Sequence, residues 1–145
     1  MTDEIDSEVP TTFWIYSGAA LVWNAIGLYA YWSFVTSPPQ GNPAFTEAQQ
    51  GFFAAMPGWV TSAYAIAVTA GTLGSVFLLL RKRWAYPAFI VSLLGVVAQN
   101  FHGFVLANAL ELFGAGATIL PSLVFIVGAV LIIYSRNASA RGWLS

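Results

Sequence analysis

Four polar side chains lie inside long apolar stretches of the 145-residue sequence: Asn24, Gln99, Asn100 and His102. His102 is the single histidine, and its charge can change near neutral pH, which suits a proton carrier or a substrate ligand. The three amides are uncharged hydrogen-bond donors and acceptors. Together they suit a neutral hydroxylated solute better than an ion.

The sequence leaves two interpretations of these residues open. His102 either carries a proton or binds substrate, or it is a neutral histidine hydrogen-bonded to Gln99, Asn24 or a backbone carbonyl. Gln99 and Asn100 either bind substrate or join helices through interhelical hydrogen bonds, each worth about 1 kcal/mol. We expect no metal and no cofactor, because the chain has no cysteine and a single histidine lacks a second ligand.

The amino-acid composition indicates whether these residues lie in a soluble protein or in a membrane protein. Hydrophobic residues make up 58% and charged residues 8%, against roughly 25% charged residues in a typical soluble domain. So few charges cannot cover a surface in water, so the sequence predicts a membrane protein with the lipid bilayer as its partner. A net charge of −1 leaves no basic patch for nucleic acid. The sequence contains no recognisable set of catalytic residues, so we expect that the protein is not an enzyme.

Four apolar runs supply the elements that must position the polar residues. A membrane-crossing helix needs about 20 apolar residues, and helix is the open-chain structure that satisfies its own backbone in lipid. The predicted fold class is therefore all-α, a polytopic four-transmembrane-helix bundle over residues 13–144, after an acidic cytoplasmic tail over residues 1–12. The predicted spans are residues 13–36, 58–80, 84–110 and 118–135.

Depth and helical period predict where the polar residues lie along these spans. Asn24 and the Gln99–His102 segment fall at similar depth near the bilayer midplane. The spacing also places Asn100, Asn108 and Glu111 on one broad face of a continuous third span.

The positive charges predict the orientation of the bundle. Four spans put both termini and the turn after the second span on one side, and that side carries all the basic residues. By the positive-inside rule both termini are cytoplasmic. The basic residues are Arg81, Lys82, Arg83, Arg136 and Arg141.

Two local patterns predict further structure. Thr46 and Gln49 form a capping-box pattern, which predicts a short helix on the outer membrane surface within the outside loop 37–57; the alternative is an irregular loop. Small residues on the second span, such as the pair Ala67 and Gly71, predict close helix contact, either within the chain or with a partner. Trp59 is expected to anchor the chain at a membrane interface.

Several segments resemble a small bacterial inner-membrane family with four spans that is commonly labelled "sugar transporter". The likeness covers nearly the whole chain beyond the acidic tail, and it implies an inner-membrane location and a sugar-like solute. The segments are Leu21-Val22-Trp23-Asn24 with Gly27, Met56-Pro57-Gly58-Trp59-Val60, Leu78-Leu79-Leu80-Arg81-Lys82-Arg83-Trp84-Ala85 with Pro87, and Asn108-Ala109-Leu110-Glu111.

The first span is also similar to the first helix of small multidrug-resistance antiporters, which have four spans and work as dimers. Asn24 stands where that family has its essential membrane-embedded glutamate. An asparagine cannot carry a proton, which argues against proton-coupled drug export.

Two functions follow as hypotheses. The first is a small-solute transporter or facilitator, acting as a homodimer, with a polar site near the midplane. The second is a non-catalytic accessory or structural subunit of a larger membrane complex. A transporter should bring Asn24, Gln99 and His102 to a water-accessible cavity, whereas a subunit should hydrogen-bond them pairwise in a dry core. The predicted site residues are Asn24, Gln99, Asn100, His102, Trp23 and Tyr64.

Overall fold

A computed structural model describes residues 9–145, and all the regular secondary structure in this part of the chain is helical, as the sequence predicts. Residues 1–8 of the predicted acidic tail lie outside the described residues. The helices are α1 (Thr11–Thr36), α2 (Glu47–Ala54), α3 (Gly58–Leu79), α4 (Ala85–Phe101), α5 (Ala109–Phe113) and α6 (Ile119–Ala140). A π-helical turn, His102–Leu106, continues α4, and a 3-10 turn, Ala115–Thr118, precedes α6.

Three helical stretches are long and apolar enough to cross a membrane. They are Gly58–Leu79, Ala85–Leu106 and Ala115–Ala140. The 26-residue helix α1 has no charged residue, but its tryptophans, tyrosines and Asn24 lower its mean hydropathy, and it is not one of the three. By length and composition the described helices therefore indicate a membrane protein.

The third predicted span is not one continuous helix to residue 110, so that prediction is wrong. The Ala107 N–H donates to the His102 carbonyl at 2.9 Å across the π-helical turn, and Asn108 adopts a left-handed conformation with φ 53°. A left-handed residue cannot continue a right-handed helix. The predicted common face of Asn100, Asn108 and Glu111 therefore does not form, because Glu111 belongs to α5.

The four long helices pack in the order α1, α3, α4, α6, with the most extensive contact between α3 and α4. The outer pair, α1 and α6, makes no comparable packing among the described residues. Instead, aromatic rings join them at one end: Tyr134 lies 6.3 Å from Phe13 and 5.7 Å from Tyr16, measured between ring centroids. A cleft therefore runs between α1 and α6.

The bundle has two ends that differ in composition. The basic end consists of the turn 80–84 and the segment 141–145, which are hydrogen-bonded to each other through Arg81, Arg83 and Ser145. The loop end consists of segments 37–57 and 107–118, which are joined by a bond from the Gln49 amide to the Leu112 carbonyl at 3.0 Å.

The small residues of α3 are explained by neighbours within the same chain. A Cβ added to Gly95 of α4 would lie 2.7 Å from the Ala63 carbonyl oxygen and 3.0 Å from the Ala67 backbone nitrogen. A Cβ added to Gly74 would lie 2.7 Å from the Phe89 ring. Close backbone approach between α3 and α4 therefore requires these glycines.

Both helices that end at the basic end use the same cap. Lys82 N–H donates to the Phe77 carbonyl at 2.8 Å after left-handed Arg81, and Trp143 N–H donates to the Ala138 carbonyl at 3.0 Å after left-handed Gly142. These are Schellman caps, in which glycine is the usual left-handed residue. The Arg81 Nε also donates to the Trp143 carbonyl at 2.8 Å and so ties the two caps together.

Helix α2 begins with the predicted capping box, which is confirmed. The Gln49 N–H donates to the Thr46 hydroxyl oxygen at 3.2 Å, and the Thr46 N–H donates to the Gln49 side-chain oxygen at 3.1 Å. The reciprocal pair satisfies two backbone donors at the helix start.

The contact at Gly95 makes a testable prediction. Gly95→Ala should lower the melting temperature in detergent, measured by circular dichroism, because the new methyl meets α3 backbone that cannot rotate away. Overpacking of this kind costs about 1–3 kcal/mol. Gly18→Ala on α1 is the matched control, since a Cβ there has no atom within 4 Å, and it should leave the melting temperature unchanged or raise it. Equal melting temperatures for the two variants would contradict the contact.

Candidate functional site

A cavity of about 310 Å³ lies between α1, α3, α4 and α6, in the half of the bundle nearer the loop end. No charged side chain lines it among the described residues. Five of the six predicted site residues contribute to its wall. They are Trp23 and Asn24 from α1, Tyr64 from α3, and Gln99 and Asn100 from α4.

Small residues open the space, and aromatic contacts orient its wall. Gly27 and Ala67 line the cavity without filling it. The Tyr64 ring is held by edge contacts with Tyr31 at 5.1 Å and by Phe34 at 5.8 Å between centroids. These contacts orient the ring of Tyr64, which is the one tyrosine among the described residues that line the cavity.

Asn24 connects α1 to α3. Its side-chain nitrogen donates to the Ala20 carbonyl at 2.9 Å and to the Ser75 hydroxyl oxygen at 3.1 Å, and the Ser75 hydroxyl donates to the Gly71 carbonyl at 3.0 Å. A methyl group at Gly71 would overlap the Asn24 side-chain oxygen. Asn24 therefore acts as an interhelical hydrogen-bonding residue as well as a lining residue.

Gln99 and Asn100 differ from Asn24 in having no side-chain hydrogen bond within residues 9–145. The polar side-chain atoms of Gln99 and Asn100 are not fully buried. The fully buried polar side-chain atoms without a partner in that range belong to Ser17 and His102. An unpaired amide in apolar surroundings costs free energy. These two amides are therefore the groups free to bind water or a ligand.

The structure places His102 outside the cavity. The side chain is 7% exposed, and its buried Nδ1 has no hydrogen-bond partner among the described residues. The imidazole ring lies edge-on to Trp59, with 5.6 Å between centroids, and 6.2 Å from Phe52. His102 follows Asn100 by about 200° around the helix, which turns it from the cavity toward α2 and the start of α3.

Several contacts were not visible in the sequence. Ser75 of α3 is the partner of Asn24, and Ser92 of α4 donates to the Ala67 carbonyl at 2.6 Å beside the cavity. Trp59 packs on His102, which its expected role as an interface anchor did not suggest. Serines on a small-residue helix face are the signal that could have indicated the first two contacts.

The geometry meets the expectations for the two hypothetical functions only in part. Gln99 reaches a cavity, as a transporter requires, whereas Asn24 is paired with Ser75, as a structural subunit requires. His102 meets neither expectation, because it does not line the cavity and its buried Nδ1 has no hydrogen-bond partner among the described residues. Within the described part of the chain, no three His, Asp or Glu side chains come together to hold a metal ion.

Comparison with known protein families, with characterised proteins and with solved structures finds no match to this chain. The resemblances seen in the sequence therefore stay predictions.

The Asn24–Ser75 bond predicts coupling between the two side chains. In a cycle of Asn24→Ala, Ser75→Ala and the double variant, the free energies of unfolding should be non-additive by about 0.6 kcal/mol, and by at most ~1.7 kcal/mol. The control cycle combines Asn24→Ala with Ser122→Ala, a change at an exposed position on α6. In that cycle the two changes in the free energy of unfolding should add. Additive behaviour in both cycles would contradict the bond.

The unpaired His102 nitrogen predicts that an apolar ring is tolerated in its place. His102→Phe should keep or raise the melting temperature in detergent, because it removes a buried polar atom whose desolvation costs about 1–3 kcal/mol. His102→Gln, which puts an amide among the same aromatic rings, should lower it. A lower melting temperature for His102→Phe would show that the imidazole has a polar partner.

Proposed function

We propose that this protein is a four-span transporter or facilitator of the bacterial inner membrane, and that its cavity binds a small, neutral, sugar-like solute. The observation that carries the proposal is the pair of unpaired amides, Gln99 and Asn100, in the wall of an uncharged cavity. Amides offer both donors and acceptors, which is what a hydroxylated solute needs. An ion would lose its hydration there without a countercharge.

The proposed topology includes α1 as the fourth span. Its 26 residues are long enough, and it packs along α3 and joins it through Asn24. The five basic residues lie in or just before the basic end, which supports a cytoplasmic location for that end and for both termini. Helix α2 then lies at the outer surface, and its phenylalanines, Phe52 and Phe53, pack against Phe113 of α5 with 5.4 and 5.7 Å between ring centroids.

The proposed assembly is a homodimer. Helix α6 leaves large apolar side chains exposed in its first two turns, outside the cleft, and a second copy is the simplest protein partner for that surface. These side chains are Ile119, Leu123, Phe125 and Ile126.

A second function, that of an accessory subunit in a larger membrane complex, is favoured by one observation. Asn24 is hydrogen-bonded to another helix, as expected for a residue that joins helices. In this alternative the exposed face of α6 packs against a different protein.

Solute permeation tests the main proposal. Liposomes containing the protein should swell faster than protein-free liposomes in iso-osmotic glycerol or glucose, and not in sodium gluconate. Gln99→Leu should slow the swelling by about two- to tenfold, the factor expected from the loss of one neutral hydrogen bond. His102→Phe is the control and should leave the rate unchanged, because His102 lies outside the cavity.

Native mass determination after mild-detergent purification separates the remaining outcomes. A homodimer together with swelling that depends on Gln99 supports the transporter. The transporter proposal would be rejected if the liposomes swell no faster than protein-free liposomes and the protein is recovered in a stoichiometric larger assembly. The accessory-subunit function would then take its place.

A further inference from the structure

A second cavity, of about 410 Å³, lies in the cleft between α1 and α6 and is here called the apolar groove. Apart from the tyrosine hydroxyls and the indole nitrogen, its side chains are hydrocarbon. The lining residues are Tyr16, Ala19, Ala20 and Trp23 on α1, and Val127, Val130, Leu131 and Tyr134 on α6.

The apolar groove and the polar cavity are consecutive parts of one cleft. Trp23 lines both of them. Along α6 the cavity is lined by residues 120–124 and the groove by residues 127–134, so the groove lies nearer the basic end. Because α1 and α6 pack so little against each other, the cleft between them is accessible from the side of the bundle.

We propose that this cleft binds an amphiphile with an uncharged, hydroxylated head group, and the inference rests on the proposed function. The head occupies the polar cavity and hydrogen-bonds to Gln99 and Asn100, while the hydrocarbon chain lies in the apolar groove. The ligand enters sideways from the bilayer between α1 and α6. A free sugar would use the cavity alone.

The polar and apolar parts of the cleft follow each other in the same order as the head and chain of a lipid in the leaflet at the loop end. The polar cavity extends from the first turn of α6, at the loop end, to Asn24, about 20 Å along α1 from Thr11. The groove continues from there toward the basic end. An amphiphile from the leaflet at the loop end would therefore place its head at the depth of Gln99 and Asn100 and direct its chain past the bilayer centre toward the basic end.

The charge distribution selects a neutral head over a phosphate. No cationic side chain lines the cavity or the groove among the described residues. The five basic residues of the chain lie in or just before the basic end, away from the predicted head-group position. An anionic phospholipid head would enter the cavity without a countercharge, which disfavours it.

Lipid retention tests this inference on the full-length chain. The purified protein is exchanged into nanodiscs that contain phosphatidylcholine, phosphatidylglycerol and monoglucosyl diacylglycerol in equal amounts, and retained lipids are identified by native mass spectrometry. We expect preferential retention of the glucosyl lipid. Gln99→Leu and Val130→Trp should each reduce it by about tenfold, the first by removing a head-group contact and the second by filling the groove.

Ile133→Trp is the matched control for Val130→Trp. Both positions are exposed, 59% and 55% respectively, but only Val130 lines the groove, so both variants should fold and only one should lose the lipid. Retention of the three lipids in equal amounts, or unchanged retention in Val130→Trp, would overturn the inference.

The same variants distinguish this inference from the proposed function. If Gln99→Leu slows liposome swelling while lipid retention shows no preference, the solute site stands and the amphiphile is rejected. If Gln99→Leu affects neither swelling nor retention, the polar cavity is not a binding site and both are rejected.

Discussion

The close approach of α3 and α4 at Gly95 is the contact on which the rest of the described bundle depends. Lipid gives two apolar helices little reason to associate, so they are held by packing and by hydrogen bonds between their backbones and side chains. Gly95 lets α4 lie directly on the backbone at Ala63 and Ala67, and Ser92 bonds to the Ala67 carbonyl one turn away. This pairing fixes the position of Gln99 and Asn100, which follow on α4. Helix α1 then packs on α3 and helix α6 packs on α4, and the cleft lies between α1 and α6.

The sequence predicts more of this fold than of the site. Apolar runs identify the long helices because burial in lipid is a property of composition, and the Thr46–Gln49 capping box identifies α2 because its two bonds are local. The end of α4 was missed because residues 103–107 stay apolar, so hydropathy gives no signal where the backbone turns left-handed at Asn108. Asn24, Gln99 and Asn100 were recognised as polar residues in lipid, and the cavity brings them together. His102 was recognised by the same argument but faces aromatic rings, because the helix turns it about 200° from Asn100 and hydropathy does not show which side of α4 faces the cavity.

Polar groups inside the bundle serve two different purposes, which explains why the sequence supports two functions. Asn24 has its partner on α3 and contributes to holding α1 in place. Gln99 and Asn100 have none within the described chain and face open space. Stability alone would favour apolar side chains at the last two positions, since an unpaired amide in apolar surroundings is costly. Packing does not explain their presence in the cavity wall, whereas the proposed solute site does.

The hydrogen bond between Asn24 and Ser75 also has a consequence for how the chain is made. Ribosomes synthesise α1 before α3, and α1 is the one of the four long described helices whose hydropathy falls short of that of a membrane-crossing helix. In the proposed four-span topology, the Asn24 amide has no interhelical partner until Ser75 has been synthesised, so α1 alone would be a poor substrate for release from the translocation machinery into lipid. Co-translational insertion of α1 and α3 as a pair would bring that amide into the bilayer already bonded. The polar residue that lines the finished cleft would then also set the order in which the nascent helices leave the translocon.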